Sequence, residues 1–455
     1  MPRLEGKLLA KAPAPYLEFV RKGVCGFILF GGELEEVKEG IALLQKEAGL
    51  SEAGLPLLIA SDLERGLGQQ VEGGTVFPAA MAFGQAFLNG MDETRIREAF
   101  AAMAEEALWA GINVIFAPVL DINSSPLNPI IATRSFGEDA ETVSKLGIMM
   151  IEEFQSKGVI ACGKHFPGHG DTHLDSHLTL PSVNKRLDEL ERFEMVPFKK
   201  AIAAGVDSLM FAHLRVPSIE PSGIPASLSK NAVTFARGGL GFNGLIFTDA
   251  MNMGGIPMKE GDAAALAIEA GIDVLLHPSN PDEIARHLST ISLPEPKLLR
   301  EIRRGLEKKY HVTGPFKKHD GLAREIAFAA IRYEGDQRHL ADPVVIVLSD
   351  EPEVLAPFME EAASVRPGLR LLVNPEPEAI PRDKEILAVI HSVPRAWRPP
   401  SAGLKKKIEA ASALAPLWLS FGNPYVIHGE KNKILTYSDS EAAQKEMARR
   451  ILSGA

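Results

Sequence analysis

The stretch ETVSKLGIMMIEEFQSKGVIACGKHF (141–166) places an amphipathic helix directly before a short apolar strand, and it decides the fold class. Apolar residues recur at helical spacing over 141–158, and the residues VIAC that follow do not alternate with polar positions. A parallel strand covered by helices on both faces has this composition. The stretch therefore predicts one strand–helix unit of an α/β protein.

Six further strands of the same kind are predicted along the chain, several of them separated by helical stretches. They are CGFILF (25–30), LPLLIASD (55–62), INVIFAPVLDI (112–122), SLMFAHL (208–214), GLIFTDA (244–250) and DVLLHP (273–278). This series predicts a TIM-type (β/α)8-like barrel, with a doubly wound open sheet as the alternative. No eighth strand can be identified, so closure of the barrel is assumed.

A new β/α series begins at DPVVIVLSD (342–350), after a loop and a helix. We therefore predict two domains, a TIM-barrel catalytic domain over 1–335 and a smaller α/β sandwich domain over 336–455. The strand ends of the second domain show no cluster of ionisable residues comparable to that of the first. The first domain is accordingly expected to carry the nucleophile and the acid/base.

Composition excludes several functional classes. The chain has 455 residues, a net charge of −10 and two cysteines. An acidic chain is a poor nucleic-acid binder, and no apolar run approaches the roughly 20 residues of a membrane span. The stretch GQQVEGGT lacks the lysine and spacing of a phosphate-binding loop, and we expect no cofactor. Without a signal peptide in this sequence a cytoplasmic location is expected, an export signal removed upstream being the alternative. The oligomeric state is not predicted.

Many predicted strands end in polar residues, and strand ends form the active face of a TIM-type barrel. Carboxylate, guanidinium and ammonium groups together suit a neutral, hydroxyl-rich ligand, with surface ion pairs as the alternative interpretation. The polar residues at strand ends are Asp62, Asp121, Lys164, His165, His213, Asp249 and His277, and Arg134 lies in the loop NPIIATRSFGED.

The densest polar stretch is KHFPGHGDTHLDSHLTLP (164–181), with four histidines and two aspartates. Three interpretations are open: a metal site, a structural loop, and a catalytic loop after a barrel strand. In the third, Asp175 and His177 form an acid/base dyad, since a carboxylate beside an imidazole fixes its orientation and raises its pKa.

Asp249 ends an apolar strand, where a carboxylate without a role is costly. It could cap the N-terminus of a following helix. It could instead attack an anomeric carbon and form a covalent glycosyl-enzyme.

Four segments together resemble glycoside hydrolase family 3, in its β-N-acetylglucosaminidase branch of the NagZ type. They are FAPVLDINSSPLNPIIATRSFG (116–137), KHFPGHGDTHLDSH (164–177), HLRVPSIEPSGIPASLS (213–229) and FTDAMNM (247–253). The resemblance covers most of the predicted first domain. The end of the chain, including SFGNPYVI (420–427), resembles the second domain of two-domain members.

The resemblance implies a retaining exo-β-N-acetylglucosaminidase acting on cell-wall fragments or chitooligosaccharides, with a small carbohydrate as its partner and no metal. By motif, Asp249 matches the nucleophile, His177 the general acid/base and Asp175 its dyad partner. The residues that match sugar-binding positions are Asp62, Arg134, Lys164 and His165.

The stretch after the second predicted strand departs from the family pattern. Where relatives carry D-x-E-G-G-R-V-x-R, this chain has Leu67 and Gln70 in place of both arginines, and Arg65 could substitute for one. This departure leaves the sugar preference open, and a family 3 β-glucosidase is the alternative. Separately, an imidazole acid/base could admit phosphate in place of water, so a phosphorylase of N-acetylglucosaminides is a further alternative. A non-catalytic sugar-binding protein is a more distant one.

Overall fold

A computed structural model describes residues 1–50, 54–171, 180–292, 296–306, 314–336, 340–392 and 400–453. The chain forms two compact units. The first comprises Met1–Val76, Arg97–Asn128 and Ser135–Asp320, and the second Phe77–Ile96, Pro129–Arg134 and Gly321–Ala455. Two segments from the predicted first domain thus belong to the second unit, and the units divide before residue 335. The ranges 1–335 and 336–455 stay a proposal about independently folding parts.

The first unit is built on a parallel sheet whose strands follow their order in the chain. Strand β5 is buried over its whole length, as expected for a strand covered on both faces. The strands are β1 (Arg3–Glu5), β2 (Gly26–Phe30), β3 (Leu58–Ser61), β4 (Val114–Ile115), β5 (Ile160–Phe166), β6 (Ser208–Phe211), β7 (Leu245–Ala250) and β8 (Val274–Leu276).

Hydrogen bonds beside β1 join the two ends of this sheet. The N–H of His277 donates to the carbonyl of Met1 over 2.9 Å, and the amino group of Met1 donates to the carbonyl of Leu275 over 2.7 Å. The predicted TIM-type fold is confirmed. Strand β1 is the eighth strand, and it was missed because Arg3 and Glu5 leave no apolar run to recognise.

Helices cover the strands and connect them, and in the described ranges none has the length and apolar character that crossing a membrane requires. They are α1 (Gly6–Leu9), α2 (Ala14–Arg21), α3 (Leu34–Gly49), α4 (Ala80–Leu88), α5 (Glu93–Trp109), α6 (Ala140–Lys157), α7 (Leu187–Arg192), α8 (Val196–Ala203), α9 (Lys230–Thr234), α10 (Glu260–Ala270), α11 (Pro281–Leu288), α12 (Lys297–Leu306), α13 (Asp320–Ala329), α14 (Ala356–Val365), α15 (Ala402–Ser412) and α16 (Glu441–Leu452).

Helix α6 leads into β5 because both of its ends are set by sequence. The side chain of Asp139 accepts hydrogen bonds from the N–H groups of Glu141 and Thr142, which caps the first turn. Gly158 ends the helix with φ 97°, a left-handed conformation that favours glycine. The chain then turns directly into the strand that carries Lys164.

The predicted strand over 112–122 is wrong beyond Ile115. Pro118 has no N–H to donate to a ladder, and the chain continues as a loop beside β5. The N–H of Leu120 donates to the carbonyl of Lys164 over 2.7 Å. This contact brings the next residue, Asp121, alongside β5.

The second unit contains a six-stranded sheet that is parallel except for one edge strand, and the predicted smaller α/β domain is confirmed. Along β10, alternate residues enter the two apolar cores on opposite faces: Val344 and Ile346 in one, Val345 and Val347 in the other. In spatial order the strands are β11 (Leu371–Val373), β10 (Val344–Leu348), β12 (Ile386–Ser392), β13 (Leu417–Gly422), β14 (Lys433–Leu435) and the antiparallel β9 (Arg332–Glu334).

Candidate active site

The carboxyl ends of the barrel strands bring three charged side chains into one region. Asp62 follows β3, Lys164 lies in β5 and Asp249 lies in β7. All three act on the buried thiol of Cys162. The pKa of that thiol is raised to about 12. Burial is the largest cause and the carboxylates of Asp62 and Asp249 act in the same direction, whereas a hydrogen bond with Ser208 and the ammonium of Lys164 oppose them. These predicted residues therefore lie at the same edge of the barrel sheet.

Lys164 holds its charge in the protein interior between two carboxylates. Its Nζ atom lies 2.7 Å from Oδ1 of Asp62 and 2.7 Å from Oε1 of Glu64. The Lys164 side chain is 2% exposed, whereas that of Asp62 is 32% exposed. A buried ammonium requires such partners. The more open Asp62 can therefore accept a ligand hydroxyl while Lys164 holds its carboxylate in place.

Asp121 is the centre of a second network, and it is fully buried. Its Oδ2 atom accepts from the N–H of His165 over 3.1 Å and lies 2.7 Å from Nδ1 of the same residue. Its Oδ1 atom accepts from the N–H of His169 over 2.7 Å. Burial opposes ionisation, but the charge of His165 and these hydrogen bonds hold the pKa of Asp121 below its usual value. The ionised carboxylate fixes the imidazole ring of His165.

Asp249 lies at the end of β7 and is partly exposed. Its Oδ1 atom accepts from the N–H of Ala250 over 2.8 Å. The next helix, α10, begins only at Glu260, so the interpretation of Asp249 as a helix cap is wrong. A carboxylate that is oriented by its own backbone and open to the site suits a nucleophile.

Of the remaining predicted site residues, one belongs to the second unit and two lie outside the described ranges. Arg134 ends a short 3₁₀ turn in the segment Pro129–Arg134 of the second unit, where its Nη1 atom donates to the carbonyl of Ile130 over 3.3 Å. Asp175 and His177 lie outside the described residues. Their acid/base roles stay predictions.

Among the described residues, no three histidine, cysteine or acidic side chains are arranged to hold a metal ion. The histidine-rich stretch that raised a metal site as an alternative continues into residues 172–179, which lie outside those ranges. Within this stretch, the metal-site alternative is therefore tested only for residues 164–171 and 180–181.

The departure from the family pattern at residues 65–70 has a structural form. Leu67 is fully buried within a 3₁₀ turn, Leu67–Gln69, so it packs in the protein interior. The N–H of Arg65 donates to Oε1 of Gln69 over 2.7 Å, and Arg65 itself is half-buried. An apolar side chain has thus taken an interior position where relatives carry an arginine.

Sequence reasoning missed Glu64, and it identified Asp121 and His213 only as polar residues at strand ends, without their partners. Glu64 could have been found from the D-x-E spacing with Asp62. The partners of the others are distant in the chain, 44 residues for Asp121 and His165.

A smaller polar group lies at the strand ends of the second unit. Oγ of Ser349, which follows β10, lies 3.3 Å from Nδ1 of His391 in the neighbouring β12. The Nε2 atom of His391 lies 3.8 Å from Oδ2 of Asp439. A buried serine, a buried histidine and a partly exposed aspartate thus lie at the carboxyl edge of this sheet.

Comparison with protein families matches residues 16–307 to the glycosyl hydrolase family 3 N terminal domain. Among curated proteins, the chain is 36% identical over 277 residues to Beta-hexosaminidase A of Pseudoalteromonas piscicida, which covers 57% of this chain and 46% of that protein. It is 32% identical over 291 residues to a Beta-hexosaminidase of Chromobacterium violaceum, covering 62% and 79%. The chain thus spans less than half of the first relative.

Among solved structures, the chain is similar over its whole length to a glycoside hydrolase family 3 beta-N-acetylglucosaminidase from Paenibacillus sp. str. FPU-7. The TM-score is 0.78 at 29% identity, covering 100% of this chain and 94% of that one. The similarity therefore extends beyond the residues that the family model matches.

Proposed function

The chain belongs to glycosyl hydrolase family 3, and from this premise we propose that it is a retaining exo-β-N-acetylglucosaminidase. Its proposed substrates are cell-wall fragments or chitooligosaccharides that end in β-linked N-acetylglucosamine, which would place it in cell-wall recycling. The observation that carries the proposal is the position of Asp249, at the carboxyl end of β7, on the same edge of the barrel sheet as the Asp62–Lys164–Glu64 network.

The networks around the nucleophile suit the binding of a terminal sugar. Asp62 is proposed to accept hydrogen bonds from sugar hydroxyls, and Lys164 to hold it for that purpose. His165, held by Asp121, is proposed to contact another hydroxyl. Arg134 is proposed to join them, by its match to the family motif. Fixed donors and acceptors position the anomeric carbon near Asp249.

In the first proposed step, a carboxylate oxygen of Asp249 attacks the anomeric carbon and forms a glycosyl ester. The bond from that carbon to the leaving oxygen breaks, and His177 donates a proton to this oxygen. Asp175 stabilises the imidazolium of His177 before the transfer.

In the second step, a water oxygen attacks the anomeric carbon and its proton passes to His177. The ester bond breaks, which restores Asp249 as a carboxylate and releases the sugar with its original β configuration. One imidazole and one carboxylate thus replace the usual two carboxyl groups of a retaining glycosidase.

The proposal is tested by comparing kcat/KM on the aryl β-N-acetylglucosaminide and the aryl β-glucoside, with and without phosphate. We expect a strong preference for the N-acetyl sugar and no phosphate dependence. Preference for glucose would indicate a family 3 β-glucosidase, redirected at Leu67 and Gln70. A requirement for phosphate would indicate a phosphorylase, and no turnover of either sugar would favour a sugar-binding protein.

A further inference from the structure

The backbone that carries Asp249 lies where β7 loses its pairing with β6 and pairs irregularly with β8. On one side, pairing of β7 with β6 ends at Thr248, opposite Phe211. On the other side, pairing with β8 is irregular between Phe247 and Ala250. A local break in a ladder is a common way to re-aim a side chain, but it leaves that backbone to be held by other groups.

His213 supplies a hold at this point. One residue separates it from the end of β6, and its side chain is completely buried. Its Nε2 atom lies 3.0 Å from the carbonyl oxygen of Ala250, and its Nδ1 atom lies 2.6 Å from Oγ of Ser227. The imidazole therefore spans from a buried serine to the residue after Asp249.

The chemistry of the partners sets the direction of both hydrogen bonds. A carbonyl oxygen can only accept, so Nε2 carries the proton and donates to Ala250. In the neutral ring Nδ1 is then an acceptor, and it accepts a hydrogen bond from the Ser227 hydroxyl. Ser227 is itself fixed, because its N–H donates to the carbonyl of Ala212 over 3.1 Å.

Ala250 transmits this hold to the nucleophile. Its carbonyl is held by His213, and its N–H donates to Oδ1 of Asp249 over 2.8 Å. Beyond it, the N–H of Met251 donates to the carbonyl of Leu276 in β8 over 2.8 Å. Hydrogen bonds thus hold the turn that orients the Asp249 carboxylate on two sides: His213 connects it to the segment after β6, and Met251 connects it to β8.

We propose that His213, held by Ser227, is a positioning residue for Asp249 and sets the rate at which that carboxylate attacks the anomeric carbon. This inference rests on the proposed function. His213 contacts the backbone beside the nucleophile, so its removal should slow formation of the glycosyl ester while binding of the free sugar stays unchanged.

The test separates the two ring nitrogens with two isosteric variants. The amide nitrogen of glutamine reaches the position of Nε2, so His213→Gln keeps the donor to Ala250. The amide of asparagine reaches only the position of Nδ1, so His213→Asn keeps an acceptor for Ser227 and loses that donor. The readout is the rate of ester formation with a 5-fluoro glycosyl fluoride of N-acetylglucosamine, followed by intact mass.

We expect His213→Gln to react within a few-fold of the unchanged protein and His213→Asn to react about 10- to 100-fold more slowly, because small misplacements of a reacting group have effects of this size. Thermal melting and the Kd for N-acetylglucosamine, measured on both variants, separate positioning from unfolding. Equal labelling rates for the two variants and the unchanged protein would overturn the inference.

Ser227→Ala is an independent test if a His213 variant does not fold. It leaves the imidazole in place and removes only the hydrogen bond between Ser227 and Nδ1 of His213. Slower labelling is expected, and an unchanged rate would overturn the inference. The absence of labelling in the unchanged protein would instead count against the proposed function, so the two failures are distinguishable.

Discussion

The Nδ1 atom of His165 lies 2.7 Å from Oδ2 of Asp121, a carboxylate without exposed surface. The same oxygen accepts from the backbone N–H of His165, so one carboxylate fixes both the ring and the main chain of a proposed sugar-binding residue. The other carboxylate oxygen, Oδ1, accepts from the N–H of His169 and so holds the backbone at the start of the histidine-rich stretch 164–181.

Asp121→Asn should weaken catalysis more than stability. The amide group replaces one acceptor by a donor, so it cannot satisfy all three N–H groups, and the His165 ring loses its fixed orientation. We expect kcat/KM to fall about 10- to 100-fold, as when a group that orients a ligand-binding histidine is lost. Asp139→Asn is the matched control, since asparagine caps α6 equally well. Equal activity of both variants would contradict the role given to Asp121.

Lys164→Met should destabilise the protein strongly, because Asp62 and Glu64 would keep their charges without the ammonium between them. Removing one partner of a buried ion pair costs about 3–5 kcal/mol. Arg186→Met is the control: this side chain is 78% exposed and pairs with Asp188, a contact worth less than about 1 kcal/mol. Urea unfolding measures both, and equal free energies of unfolding would refute the buried network.

Stability should fall as the pH drops from 6.5 towards 4, because burial lowers the pKa of His169 from 6.5 to about 4. Over this window the unfolded chain binds a proton that the folded chain excludes, a difference of about 3 kcal/mol. His169→Gln should remove this part of the pH dependence. Asp121 contributes only at lower pH, below its usual pKa of 3.8. The free energy of unfolding, measured with urea between pH 6.5 and 4, should depend less on pH in His169→Gln than in the unchanged protein. The same pH dependence in both proteins would be evidence against a neutral buried His169.

His177→Ala should slow substrates according to their leaving groups. An alkyl glycoside requires protonation of its leaving oxygen, whereas the acidic phenol of an activated aryl glycoside leaves as a phenolate without it. We expect a loss of about 100-fold or more on the alkyl glycoside and a much smaller loss on the activated aryl glycoside. Equal losses in kcat/KM on both substrates would count against the general-acid role.

Much of the first unit could be predicted because its chemistry is carried by local patterns. The family and the TIM-type fold are confirmed. The position of Asp249 at a strand end follows from the apolar run before it. The early end of β4 did not follow, since the run over 112–122 is apolar even where Pro118 interrupts the ladder.

The partners within the site could not be predicted, because they depend on the closure of the barrel. Lys164 pairs with Asp62 across 102 residues of sequence, and His213 reaches Ala250 across 37. No local period relates such positions. The strand order of the sheet brings them together: one strand separates β3 from β5, and β6 and β7 are neighbours.

The central claim is that Asp249 forms the covalent intermediate, and peptide mapping after labelling with the 5-fluoro N-acetylglucosamine probe tests it most directly. The account predicts a mass increase of one sugar on the peptide that contains Asp249, and no labelling of Asp249→Asn. A label on another residue, or labelling that persists in the variant, would contradict it.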